Sequence, residues 1–94
     1  MTINIDSSYR IKVGDLQTHS YLNSQIAESF IDVLQKISTL KATARRSRTD
    51  WIAMVVDTSK DEKVLLSQYG YSSQESASLA AQSALREIQQ KNQI

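Results

Sequence analysis

From Ala77 onward the chain sets a small or apolar side chain at every third or fourth position, through Ala80, Ala81, Ala84 and Leu85 to Ile88. That spacing is the stripe of a one-sided helix. Because four of the six positions are alanine, the helix axis must lie close to whatever it covers, and a sheet is the expected partner. Ser72-Ser73-Gln74-Glu75 precedes the stripe and fits a capping box, with the Ser72 hydroxyl and the Glu75 carboxylate each satisfying a free amide.

The chain contains no proline and only two glycines, Gly14 and Gly70, so little of it can be irregular linker. Alternation of apolar and basic residues over 9–13 predicts a half-buried strand ended by a turn at Gly14-Asp15. Ile3 and Ile5 extend it backwards, with Asp6-Ser7-Ser8 as an interruption. Leu22, Ile26, Phe30, Val33, Leu34 and Ile37, widened by Ala27 and Ile31, predict a helix over 21–37 with Ser20 as its N-cap. The period then changes. Leu40, Ala42 and Ala44 alternate with Lys41, Thr43 and Arg45 in a short strand with a basic outer face. The polar residues 46–50 read as a loop, the apolar residues 51–56 as a buried strand, 57–62 as a second hairpin loop, and 63–69 as a third strand.

These elements predict an α+β fold, with a small antiparallel three-stranded sheet and two helices packed on one face. The N-terminal strand either joins that sheet at an edge or pairs with a partner. Residues 1–94 are expected to form one domain. Residues 1–16 form its N-terminal strand segment, 20–91 an α-β-β-β-α core, and 92–94 a frayed tail.

Several function classes are excluded by what the chain lacks. Without cysteine it has no disulfide, no thiol chemistry and no Cys-based zinc site. One histidine, His19, excludes a zinc site built mainly on imidazole. His19 has no partner base or nucleophile at a recognisable spacing and reads as a surface loop residue. Residues 57–62 resemble the start of a calcium loop, but Glu62 stands where glycine is needed and Gln68 where a bidentate carboxylate is needed. No glycine-rich phosphate loop occurs, so neither an enzyme nor a cofactor is expected. Residues 1–6 lack the basic start and apolar run of a signal peptide. The apolar run 51–56 is too short to cross a bilayer. A soluble, cytoplasmic protein without membrane contact is the expectation.

The functional asymmetry lies in charge. Residues 33–49 hold five basic side chains, Lys36, Lys41, Arg45, Arg46 and Arg48, and no acidic one, within a chain of formal net charge +1. Lys41, Arg45, Arg46 and Arg48 are the candidate nucleic-acid contacts, since arginine forks match phosphate oxygens. The bland alternative is a solvated hairpin. Trp51 and Tyr9 would extend the patch by stacking or would be core residues. Tyr69 and Tyr71, flanking Gly70, are candidate interaction residues or packing for the strand-to-helix corner. An exposed sheet edge could also pair with a second copy.

The segment 73–85, with Ala77, Ala80, Ala81, Ala84 and Leu85, resembles the last helix of double-stranded-RNA-binding domains, and the order helix, three strands, helix from residue 21 is similar to theirs. The resemblance implies an α-β-β-β-α fold and RNA contact. It also shows departures. The two lysines with which that family grips phosphates fall on Gln74 and Glu75, and the Gly-Pro-x-His stretch of its first hairpin loop is replaced by Arg46-Ser47-Arg48. Two functions are therefore expected: a non-enzymatic module contacting nucleic-acid backbone through a basic strand and loop, or a protein-interaction module (adaptor, inhibitor or dimerisation domain) on the same fold.

Overall fold

The zigzag around Ile11 is the middle strand of a three-stranded meander. In the computed structural model, which describes residues 3–90, β1 (Ile3–Ile5), β2 (Arg10–Val13) and β3 (Leu16–Ser20) precede helix α1 (Ser24–Lys36). Strands β4 (Leu40–Ser47), β5 (Asp50–Asp57) and β6 (Lys63–Tyr71) follow, and helix α2 (Gln74–Gln90) comes last. The tail expected to fray, 92–94, lies outside the described residues.

The sheet therefore has six strands rather than three, all antiparallel, in the order β1-β2-β3-β6-β5-β4. The α+β class stands; the three-stranded sheet does not. The additional strands arise from two tight connections. Val13 pairs with Leu16, so Gly14-Asp15 is a two-residue hairpin turn, with Gly14 at φ +58 in the position where such turns favour glycine. Ile5 pairs with Ile11, and the Asp6 carboxylate accepts from the Ser8 and Arg10 amides at 2.9 and 3.0 Å. The interruption at 6–8 is thus a loop between strands. The last strand of the second meander, β6, pairs with β3 and merges the two meanders.

Both helices contribute to one core on one face of this sheet. Ala77, Ala81 and Ala84 are fully buried, and Ile88 nearly so, beside Ile11, Leu16, Ala53, Val55 and Leu66 of the strands and Ala27 and Leu34 of α1. The alanine stripe brings α2 down mainly onto β4 and β5. Helix α1 starts later than its periodicity suggests because β3 uses residues as far as Ser20. Asn23 is the cap, its Oδ1 accepting from the Ile26 amide at 2.9 Å, and Leu22 is left outside the helix and exposed. The α2 cap is likewise Ser73, not Ser72, with its Oγ accepting from the Ser76 amide at 3.1 Å, because β6 runs on to Tyr71. No helix among the described residues is long and apolar enough to cross a membrane.

Asp57 closes the far end of the β4–β5 pair. Only 4% exposed, its Oδ1 accepts from the Thr39 hydroxyl at 2.6 Å and from the Ser59 hydroxyl and amide at 2.7 and 3.0 Å. These donors favour the ionised form, first the Thr39 hydroxyl and then that of Ser59, and hold the carboxyl below its ordinary pKa. A depressed carboxyl stabilises the fold above its unfolded value and loses that contribution as pH falls through the folded one. Asp57→Asn is accordingly expected to melt several degrees below the parent protein at pH 7, with the two curves converging below the ordinary value of 3.8. Thermal melts across acid pH check this; a gap independent of pH would show that the charge is not what Asp57 contributes.

Candidate nucleic-acid interface

With both helices on one side, the opposite face of the sheet is left uncovered by the described residues. Strand register and alternation identify the side chains at its outward positions. On β2 they are Arg10 and Lys12, the latter paired with Asn4 on one side and Gln17 on the other. On β4 they are Lys41, Thr43 and Arg45, opposite Val56, Met54 and Ile52 of β5. On β6 Val64 pairs with Val56, and Ser67 lies between Met54 and Gln17. Arg10, Lys12, Lys41 and Arg45 are all exposed.

The face thus carries two basic flanks, Arg10 and Lys12 toward one edge and Lys41 and Arg45 at the other, around a neutral centre. Among the described residues, the one carboxylate at an outward strand position is Asp50, at the tip of the β4–β5 hairpin, where it pairs with Ser47. Each helix, by contrast, carries two acidic residues against one basic: Glu28 and Asp32 with Lys36 in α1, Glu75 and Glu87 with Arg86 in α2. The net positive charge of the strand positions on the uncovered face, set against the net negative charge of each helix, raises the local concentration of an anionic ligand there.

Two shallow grooves cross this face. The larger, about 340 Å³, is lined by Arg10, Gln17, His19, Ser67 and Tyr69 among others. The second, about 260 Å³, runs past Thr43, Arg45, Met54 and Glu62. Val64 lines both, so together they extend from the β2 flank to the β4 flank.

The basic residues singled out from the sequence do not all converge. Lys41 and Arg45 share the uncovered face. Arg46, expected in a loop, belongs to β4, because the β4–β5 turn shrinks to Arg48-Thr49 between the paired Ser47 and Asp50. Alternation sends Arg46 to the helix side, where its guanidinium lies 5.9 Å from the Trp51 ring centroid. Arg48 is exposed at the hairpin tip with φ 52.

The two tyrosines separate as well. Gly70, at φ +95, occupies a backbone region that L side chains rarely adopt and interrupts the alternation of β6. Tyr69 stays with Ser67 on the uncovered face and is 73% exposed. Tyr71 instead pairs with Trp51 and packs against the core. Tyr9, one candidate for stacking, lies in the β1–β2 connection at φ 61. His19 is on β3 rather than in a loop, its ring 4.5 Å from that of Tyr21, which in turn sits 5.4 Å from Phe30.

The chain matches no known protein family, no curated protein and no solved structure. Its geometry alone bears on function. The residues missed from sequence are Arg10 and Lys12. Their alternation with Ile11 and Val13 was a legible signal of a basic strand face, but nothing local showed that this face lies in one plane with Lys41 and Arg45.

Proposed function

We propose that this chain is a small non-enzymatic binding module whose uncovered sheet face holds the phosphate backbone of a nucleic acid. The observation that carries the proposal is the placing of Arg10, Lys12, Lys41 and Arg45 at outward positions of the sheet face opposite both helices, where among the described residues the one strand carboxylate is at the hairpin tip. Lysine and arginine on a sheet hold phosphates through charge without reading sequence. Gln74 and Glu75 open α2 where the resemblance to double-stranded-RNA-binding domains would require lysines, so that family's groove-spanning grip is not the mode proposed.

Fluorescence anisotropy with a labelled oligonucleotide tests the proposal. Binding is expected at low salt, with log affinity falling linearly against log salt. No binding at low salt would reject it. Val64, 46% exposed between the basic flanks and close to Met54, favours a second reading in that event: a protein partner with an apolar centre and an acidic rim.

A further inference from the structure

Resting on the nucleic-acid reading above, we propose further that the ligand is a single strand, with one unstacked base lying on Tyr69. Tyr69 is 73% exposed and forms one wall of the larger groove with Arg10, Gln17, His19 and Ser67. Gln17 and Ser67 are cross-strand partners, so an amide and a hydroxyl stand together beside the phenol. That is a stacking surface flanked by hydrogen-bonding groups and by a cation for the adjoining phosphate.

The dimensions of the sheet support the same conclusion. Six strands about 4.8 Å apart span roughly 24 Å, about twice the width of a B-form major groove. The sheet cannot enter that groove, and an aromatic ring carried on so broad a face meets no exposed base on an intact duplex. A single strand offers both base faces and a flexible backbone. Running along the two grooves, it would meet Arg10 at one end and Arg45, with Glu62 lining the same groove, at the other. Lys12 and Lys41 stand on the same face beside them, the two flanks being about 19 Å apart across four strand intervals.

The test compares a labelled single-stranded oligonucleotide with the duplex formed by annealing its complement, at one salt concentration. The parent protein is expected to prefer the single strand. Tyr69→Ala should weaken single-strand binding about ten- to hundredfold without changing the salt slope, while Tyr69→Phe, which keeps the ring, should bind like the parent. The exposure of Tyr69 lets both variants fold, which circular dichroism verifies. Duplex preference, or unaltered single-strand binding by Tyr69→Ala, would overturn this inference and leave the backbone-binding proposal standing. Absence of binding to either nucleic acid at low salt would overturn both.

Discussion

Leu66→Ala is expected to remove about 2–5 kcal/mol of stability, a large part of the roughly 5–15 kcal/mol available to a domain of this kind. Leu66 is fully buried. It pairs with Val55 on β6, the strand with β3 on one side and β5 on the other. Its side chain shares a core with Leu16, Val55 and the alanines of α2. Truncation there empties space that the short alanine side chains above cannot refill. Leu79→Ala provides the contrast, because Leu79 is 59% exposed on α2 and its loss should stay within about 0.5 kcal/mol. Urea unfolding of both variants checks the pair, and a cost below about 1 kcal/mol at Leu66 would contradict the packing described.

How much of this core was legible in sequence varied with the range of the interactions involved. The stripe from Ala77 to Ile88 is local to one helix, and its alanines are buried where the spacing places them. The alternation from Leu40 to Arg45 is equally local, and the register with β5 keeps Lys41 and Arg45 on one face. β3 escaped because Leu16 is its one strongly apolar inward residue. The other, Thr18, is a polar side chain made compatible with burial by accepting from the Ile11 amide at 3.0 Å and donating to the His19 carbonyl at 2.8 Å. The partnership with Ile11 could not be inferred without knowing the hairpin. The candidate site was half legible for a related reason. The basic character of β2 and β4 could be read from each strand alone, but their shared plane depends on β6 lying between β3 and β5, a pairing between distant parts of the chain. Arg46 is expected in the connecting loop only because that loop is read as too long; a turn of two residues puts it in β4, on the helix side.

The second large effect concerns the uncovered face. Replacing Arg10, Lys12, Lys41 and Arg45 together by alanine is expected to abolish oligonucleotide binding at physiological salt while leaving the fold intact, since all four are exposed. If each holds one phosphate of a single strand, the salt exponent is about 0.7 per contact, close to 3 in all. Affinity should then drop about fiftyfold between 50 and 200 mM salt. Lys41→Ala with Arg45→Ala should roughly halve the exponent. Arg46→Ala should leave it unchanged, because its guanidinium sits over Trp51 on the other side of the sheet; the expected cost is instead about 0.5–1 kcal/mol of stability. Anisotropy titrations over a range of salt separate these cases. An exponent that fell equally for Arg46→Ala and Arg45→Ala would mean that the two faces are not distinguished by the ligand.

The position of β6 also bears on how the protein is made. The β1–β3 meander leaves the ribosome first, yet β3 keeps an unpaired side until Lys63–Tyr71 has been synthesised. At typical elongation rates of about 5–20 residues per second, that interval is roughly two to ten seconds. Throughout it, a nascent chain exposes a ready template for strand pairing, its Leu16 and Val13 side chains not yet covered. Pairing across so long a sequence separation makes folding slow, and a neighbouring nascent chain could supply its own β6 in the meantime. Exchange of that strand between copies is therefore the misassembly this topology most invites during synthesis.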